Sequence, residues 1–288
     1  MSIQLIVDTG CDLPQHVVDQ YSMEVLPLVV HVGQEEYFDK ETIQPTKLYA
    51  MMREGAAPKT SQVPPDRMKA LFQSLAEEQK PAIYLTFSSE LSGTYQTACL
   101  IRDQLLEEGT QLDLTIIDSR SASLGQGLIA YYLAQAIEQN HTKDQLITYT
   151  HTLVDQIKHI VTVDNLEYLV RGGRVSKTAG FVGGLLKVKP ILHMEDGKLF
   201  PLEKVRGSKR VLSRLIELID DRGKELDQQT IAITHADNLS RANELKELIE
   251  SKYDVKNIMI NSIGCAVGAH AGPGTLAVFF LDGKPGVE

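Results

Sequence analysis

The stretch 263–275 has the sequence IGCAVGAHAGPGT and carries four glycines around a single histidine, His270. A strand-like run precedes it and the apolar run 276–281 follows, so we expect a loop that joins two buried strands. Glycine allows positive φ angles and close approach of a ligand, and a histidine donates or accepts a hydrogen bond near neutral pH. The stretch therefore indicates either a ligand-binding loop or a tight turn whose histidine is satisfied within the protein.

Upstream of this stretch, the first half of the chain alternates short apolar runs with amphipathic segments. Helices of ordinary length between strands are typical of βαβ units, which build a parallel sheet and bind ligands at the carboxyl ends of its strands. Strands are predicted at 3–7, 25–32, 34–38, 82–87 and 112–117, helices at 45–55, 66–79, 93–106 and 124–139, and a loop at 59–65.

The second half of the chain predicts a different sheet. Glu195-Asp196-Gly197 is a strong turn signal between apolar runs, and such a hairpin makes the sheet mixed or antiparallel. Strands are predicted at 159–163, 189–193, 199–205, 230–234 and 256–260, and helices at 143–157, 176–186, 208–222 and 239–251. We therefore predict an α/β protein of two domains, an N-terminal parallel-sheet βαβ domain at 1–150 and a C-terminal mixed-sheet α/β domain at 151–288.

The composition and charge of the chain disfavour several classes of binding partner. The 288 residues are 43% hydrophobic and 23% charged, which suits a globular core, and the net charge of −9 disfavours nonspecific nucleic-acid binding. No apolar run approaches the ~20 residues of a spanning helix, no basic leader precedes the first strand, and the three widely spaced cysteines match no zinc spacing. We expect a cytoplasmic protein with no metal, no cofactor and no nucleic-acid partner, and with at most transient contact with a membrane surface.

Hydroxyl side chains cluster where the predicted strand 82–87 meets the predicted helix 93–106. The segment 87–94 reads FSSELSGT, and its hydroxyls and free helix N–H groups favour an anion, although helix capping by Ser89 or Ser92 explains them as well. A hydrolase elbow needs a glycine two residues before the nucleophile, and Glu90 stands there. Ser92 is therefore disfavoured as a nucleophile. Thr60 and Ser61 supply further hydroxyls in the predicted loop.

Two charged features have both a functional and a structural interpretation. Arg171, Arg174 and Lys177 form the densest basic cluster of an acidic chain, suited to a phosphate or an acidic partner, or to a solvated turn. Asp8 and Asp12 follow the first strand and are more typical of turn and capping roles than of a cation site, with Asp12 expected to start a helix.

Taken in order along the chain, these segments resemble the DegV family of bacterial fatty-acid-binding proteins. Each match is short, but together they span nearly the whole sequence, and the two departures are Thr9-Gly10 in place of serine-threonine and Val63 where proline often follows. The matching segments are 6–14, 59–62, 88–95, 118–119, 166–174 and 268–274.

The resemblance implies a ligand held between the two domains. One branch of the family is the lipid-binding subunit of fatty acid kinase, which holds a long-chain fatty acid while a separate ATP-using subunit phosphorylates its carboxylate for phospholipid synthesis. The resemblance therefore implies a binding protein without enzymatic activity of its own. By the family's pattern, the carboxylate is held by Thr60, Ser92 and His270.

Further site residues are expected around these three. Ser61, Gly93 and Gly268 adjoin them in the sequence and are candidate additional contacts with the ligand. Because Arg171 and Arg174 share the second domain with His270 and arginine pairs well with carboxylate or phosphate, we expect them to dock the kinase subunit.

Two enzyme-related alternatives stay open. The fold is similar to that of the substrate domain of dihydroxyacetone kinases, which holds a small ketone through a histidine, and Ser92 is the candidate nucleophile of a serine hydrolase. Neither alternative has support from a nucleotide-binding loop or from the order of a catalytic triad.

Overall fold

The computed structural model describes residues 3–175 and 188–287, so the helix predicted at 176–186 and Lys177 lie outside the described residues. In chain order the elements are β1 (Gln4–Asp8), α1 (Gln15–Gln20), β2 (Glu24–Leu26), β3 (Val29–Val32), β4 (Glu35–Phe38), α2 (Pro45–Arg53), β5 (Lys59–Ser61), α3 (Pro65–Glu77), β6 (Ala82–Thr86), α4 (Thr94–Glu107), β7 (Leu114–Asp118), α5 (Leu124–Glu138), α6 (Lys143–Gln156), β8 (Ile157–Thr162), α7 (Glu167–Arg171), β9 (Val188–Glu195), β10 (Lys198–Arg206), α8 (Ser208–Arg222), β11 (Thr230–His235), α9 (Leu239–Lys252), β12 (Asn257–Ser262), α10 (Cys265–Ala271) and β13 (Leu276–Leu281).

The strands form a parallel sheet in the N-terminal domain and a mixed sheet in the C-terminal domain, which confirms the predicted fold class. The parallel sheet has the order β2-β1-β6-β7, and its central strands are buried on both faces, as parallel strands between helices require. The mixed sheet has the order β10-β9-β8-β13-β11-β12, in which β11 and β12 are parallel and the other pairs antiparallel. The predicted hairpin turn at 195–197 joins β9 to β10.

A small antiparallel sheet, β4-β3-β5, corrects two of the predictions. The strand predicted at 25–32 is two strands in different sheets, because Pro27 cannot donate a ladder hydrogen bond and interrupts the run. The loop predicted at 59–65 begins as strand β5, in which Thr60 pairs with Val30. Strand β5 therefore forms because it pairs with β3, and its local sequence does not predict it.

The glycine-rich stretch 263–275 also differs from the prediction. It contains the seven-residue helix α10, which carries His270, where a loop was expected. Strand β13 is fully buried, but β12 lies at the edge of its sheet and is half-exposed, so only one of the two flanking strands is buried. Asp12 does not start a helix either: it has a positive φ of 52° and ends a short 3-10 turn.

Helix α5 packs against both large sheets. Eleven of its fifteen residues are buried, and one apolar core joins it to β1 and β6 on one side and to β11 and β13 on the other. Because the last parallel strand ends at residue 118 and the mixed sheet begins at residue 157, the boundary predicted near residue 150 stays a prediction. Within the described ranges, no helix is long and apolar enough to cross a membrane.

Candidate functional site

A cavity lies between the parallel-sheet half and the mixed-sheet half. It encloses about 1000 Å³ of empty space, its open mouth included, and its wall is mainly apolar. A volume of this order suits a small organic ligand. The wall includes Phe87 and Leu91 from the first half and Val161, Ala277 and Phe279 from the second.

Thr60 and His270 meet at one part of this cavity, although 210 residues separate them in the sequence. The Thr60 Oγ1 atom lies 2.6 Å from Nε2 of His270, within hydrogen-bond distance. Pairing of β5 with β3 holds Thr60, and α10 carries His270, so the hydrogen bond joins the two halves of the molecule. Both side chains line the cavity, which places these two predicted site residues together.

Ser92 lines the same cavity but does not bond to either of these residues. Its Oγ atom lies 2.9 Å from Oγ1 of Thr94, at the start of α4. Ser61 and Gly93 also line the cavity. Gly268 does not line it: a Cβ at this position would fall 2.4 Å from the hydroxyl oxygen of Tyr49, so glycine here permits α10 to pack against α2.

His270 is neutral at pH 7. Burial, together with nearby Arg174 and Arg171, lowers the pKa of His270 to about 4. A neutral imidazole has one donor and one acceptor nitrogen, and a hydroxyl group both donates and accepts. The Thr60–His270 pair therefore presents hydrogen-bonding groups to the cavity without bringing a fixed charge.

The two arginines of the basic turn differ in their surroundings. Arg174 is half-buried on the cavity wall, where its Nε donates to the carbonyl oxygen of Leu91 at 3.1 Å and burial lowers its pKa. It is the only Lys, Arg, Asp or Glu on the wall among the described residues. Arg171 is exposed, with its guanidinium 5.2 Å from the ring centre of Tyr168. Only Arg174 is placed to act on a ligand.

A buried charged cluster holds the N-terminus of α10. Asp39 accepts hydrogen bonds from the backbone N–H groups of Cys265 and Ala266 at 2.9 and 3.1 Å, and Asp12 accepts one from Gly264 at 2.7 Å. Both carboxylates are fully buried and come from the first half of the chain. They therefore fix the helix that carries His270 relative to β5.

Lys40 interacts electrostatically with the acidic residues Asp12 and Asp39 of this cluster. Desolvation raises the pKa of Asp12 to about 7, although the nearby cation Lys40 opposes the shift. Burial acts to lower the pKa of Lys40, but Cys11, Asp12 and Asp39 outweigh it and leave that pKa raised. Sequence reasoning missed Asp39, because the backbone groups that it binds lie more than 200 residues away. It also missed Lys40, because nothing local shows that Cys11, Asp12 and Asp39 surround this side chain.

The inner face of the mixed sheet forms the rest of the wall. Alternate residues of β13 and β8 face the cavity, with Ala277 paired to Val161 and Phe279 paired to His159. This alternation is the period of two expected of a strand with one face on the cavity. His159 was not singled out from the sequence, although a histidine in an otherwise apolar strand pattern was a visible signal.

The described ranges contain no cluster of His, Cys, Asp and Glu that could hold a metal ion.

The fold and the site define a two-domain α/β protein whose interdomain cavity carries uncharged hydrogen-bonding groups at one part of an apolar wall. The chain belongs to the DegV family, since the model of that family, described as "Uncharacterised protein, DegV family", matches residues 2–283.

Similar proteins cover nearly the whole length of the chain. A DegV domain-containing protein of Clostridium perfringens is 39% identical over 280 residues, with 96% of each chain covered. A solved DegV family protein from Thermus thermophilus, described by its fatty-acid binding, superposes with a TM-score of 0.87 at 28% identity, covering 97% of this chain and 99% of that one. A DegV lipid-binding protein from Thermotoga maritima superposes with a TM-score of 0.87 at 30% identity, covering 99% of this chain and 100% of that one.

Proposed function

We propose that this protein binds a long-chain fatty acid in the interdomain cavity. The carboxylate accepts hydrogen bonds from Thr60, Ser92 and His270, and the acyl chain lies along the apolar wall. The observation that carries the proposal is the short Thr60–His270 contact on the wall of an apolar cavity. The fatty-acid and lipid binding described for the Thermus and Thermotoga proteins supports the same ligand class.

The chemistry of the site suits a carboxylate. An anion that leaves water needs hydrogen bonds to compensate for lost solvation, and each bond to a charged group contributes about 1.5–3 kcal/mol. The proposed site offers two hydroxyls and a neutral imidazole, with the Arg174 guanidinium on the same wall. These groups stabilise a charge that arrives with the ligand.

We propose further that the protein is a carrier and not an enzyme. The hydroxyl of Ser92 contacts Thr94, and no described histidine lies within hydrogen-bond distance of it, which disfavours the hydrolase alternative. The mainly apolar wall favours an acyl chain over the small polar ketone of the dihydroxyacetone-kinase alternative.

Native mass spectrometry tests the ligand. We expect one long-chain fatty acid per protein after purification or after incubation with oleate or palmitate, and a fatty acid in the organic extract. A protein that stays ligand-free under these conditions contradicts the proposal. Recovery of a small polar metabolite in place of a lipid favours the ketone-binding alternative.

The proposed partner is an ATP-using kinase subunit in the cytoplasm that phosphorylates the bound carboxylate. Arg171 is exposed near His270 and available for such a partner, whereas Arg174 is bonded to Leu91 within the protein. Sequence analysis predicts docking by both arginines, and this stays a prediction.

A reconstituted kinase assay, paired with melting curves, tests the docking role. We expect Arg171→Ala to keep its lipid and its melting temperature but to lose acyl-phosphate formation, while the exposed control Arg210→Ala keeps all three. If Arg174→Ala loses its lipid or melts early, Arg174 belongs to the cavity. If both variants are lipid-loaded and fully active, the docking proposal is wrong.

A further inference from the structure

The cavity runs along the inner face of strand β13 and stops before the end of that strand. Ala277 and Phe279 line the cavity, whereas Leu281, the next residue on the same face, is not part of its wall and packs in the apolar core that contains α5. Strand β8 shows the same limit, since His159 lines the cavity and Ile157 packs in that core. Because Phe279 pairs with His159 and Leu281 pairs with Ile157, the two strands mark one level at which the cavity ends.

Two side chains, His159 and Phe279, close the cavity at this level, and we call the pair the floor. Their rings make an edge-to-face contact with their centres 5.2 Å apart. Gly125 of α5 stands behind the imidazole, and a Cβ at this position would overlap Nε2 of His159. The imidazole therefore fills the gap between β8 and α5, beyond which the apolar core begins.

The floor is uncharged although it contains a histidine. Burial lowers the pKa of His159 to about 3, so the imidazole is neutral at pH 7. Its Nε2 atom is buried against α5, out of reach of a ligand, and has no hydrogen-bond partner within the described part of the chain. One level closer to the entrance of β13, the wall consists of the smaller side chains Ala277 and Val161. The wall thus changes from small to bulky side chains at the floor, as a barrier to a hydrocarbon chain requires.

The floor lies far from the residues proposed to bind the carboxylate. Thr275 stands near His270, since its hydroxyl donates to the carbonyl oxygen of the residue after it, Ala271. Phe279 follows Thr275 at a distance of roughly 13 Å, the rise of four residues of extended strand. An acyl chain whose carboxylate lies at His270 therefore meets the floor with its far end.

We propose that His159, together with Phe279, limits the length of the acyl chain that the cavity accepts. This inference rests on the proposed binding of a fatty acid at Thr60, Ser92 and His270. Each methylene group that is buried along the apolar wall raises the affinity about fourfold, until the end of the chain meets the floor. A longer chain has to displace closely packed side chains, which costs free energy. The protein should therefore bind acids up to one chain length and discriminate against longer ones.

Titration with saturated fatty acids of increasing length tests the proposal. Calorimetry measures the affinities of the even-numbered acids from laurate to behenate for the delipidated wild type, His159→Ala and Phe279→Leu. We expect the affinity of the wild type to rise with chain length up to a limit and to fall beyond it. His159→Ala should move this limit by about two carbons, since the void left by the ring has room for about that many methylene groups. The first acid that the wild type discriminates against should then bind about tenfold more tightly to the variant.

Val161→Ala is the matched control, because Val161 lines the cavity on the same strand as His159 but lies above the floor. It should lower the affinity for all the acids by a similar factor and leave the length limit unchanged. Phe279→Leu should move the limit in the same direction as His159→Ala, and it keeps an apolar side chain in the core. Melting curves of the ligand-free variants identify any that is not folded, so the result does not depend on one substitution.

The outcomes separate this proposal from the proposed function. A length limit that stays unchanged in the folded floor variants, or a wild-type affinity that rises without a limit, overturns the role of the floor but leaves fatty-acid binding intact. Met194 lines the cavity at the end of β9, and a limit that moves only in Met194→Ala shows that the chain ends at the β9–β10 hairpin, which also overturns the proposal. A wild-type protein that binds none of these acids overturns both proposals.

Discussion

Helix α10 has a buried polar cluster at each end, and the two clusters differ in charge and in completeness. At its N-terminus, Asp12, Asp39 and Lys40 are ionisable side chains whose partners all lie within the protein. At its C-terminal end, Thr60 and neutral His270 line the cavity. The first cluster fixes the position of the helix, and the second keeps hydrogen-bonding capacity for a ligand's charge. A buried charge supplied by the protein needs its partner in place, whereas uncharged donors tolerate an empty site.

The largest effect on stability is expected from a substitution that disrupts the cluster at the N-terminus of α10. Asp39→Asn removes the carboxylate beside half-buried Lys40 and leaves one amide oxygen for two N–H groups of α10. Loss of one member of a buried ionic cluster typically costs about 3–5 kcal/mol. We expect a decrease of this size in the free energy of unfolding, measured with urea, together with weaker fatty-acid binding.

Asp254→Asn is the matched control for Asp39→Asn, because Asp254 is exposed. The control should unfold like the wild type. If the two variants are equally stable, Asp39 does not hold α10 and the contrast between the two ends of the helix is lost.

A smaller effect is expected from the second cluster. Thr60→Val or Ser92→Ala should weaken binding of oleate by about 1.5–3 kcal/mol, since each removes one hydrogen bond to a charged group. The free energy of unfolding of the ligand-free protein should change little for Ser92→Ala. It should fall by about 0.5–1.5 kcal/mol for Thr60→Val, which also removes the hydrogen bond to His270. Isothermal titration measures the affinity, with the exposed residues Thr148→Val and Ser251→Ala as controls, and wild-type affinity in both site variants would remove these residues from the site.

The two buried histidines, His270 and His159, make the stability of the protein depend on pH in the acid range. The pKa of His270 is lowered to about 4 and that of His159 to about 3, from an ordinary 6.5, mainly by burial. Below pH 6.5 the unfolded chain binds protons that the native state does not bind. The stability contribution of each histidine is therefore complete above pH 6.5 and falls as the pH decreases toward the native pKa.

For His159→Phe we expect a shallower loss of stability in acid. The difference from the wild type should be about 1.4 kcal/mol per pH unit between pH 6.5 and the range of pH 4. Urea unfolding across this range measures the slope, and His151→Phe supplies the exposed control. Parallel slopes in the variant and the wild type would contradict a buried neutral His159.

The smallest expected effect concerns an exposed ion pair between the halves. Arg53 on α2 and Asp237 are each about half-exposed. Exposed pairs contribute about 0.2–1 kcal/mol, and salt screens them. Asp237→Asn should therefore change the free energy of unfolding by less than about 1 kcal/mol, and the difference should shrink in high salt. If Asp237→Asn lowers the free energy of unfolding as much as Asp39→Asn does, burial does not explain the difference between the exposed and the buried carboxylate.

The alternation of strands and helices was predictable from the sequence because it is local. The periodicity located most helices and the strands of both large sheets to within a few residues, for example α5 at 124–139 and β6 at 82–87. Strand β5 was not predictable, since a three-residue edge strand depends on its pairing with β3. Helix α10 was hidden by its glycines, which usually disfavour a helix, while Asp39 and Asp12 supply the missing capping interactions from another part of the chain.

The candidate site was only partly predictable. The motifs around Thr60 and His270 identified these residues through the resemblance to a family, and the structure places them 2.6 Å apart. No local pattern shows that residues 210 positions apart touch, or that Arg174 faces a cavity while Arg171 faces solvent. The same holds for His159, whose lack of a partner becomes visible only once the surrounding strands and α5 are in place.

The position of helix α5 between the two large sheets affects how the protein unfolds and how a ligand can enter the cavity. Its residues belong to one apolar core shared by strands of both sheets, so neither half retains a complete core when the other is lost. The two halves should then unfold in a single cooperative step, and the amide hydrogens in the middle of α5 should exchange with solvent only through global unfolding. Entry of a ligand into the cavity must accordingly rely on motions that leave this helix in place, such as those of loops and side chains at the mouth.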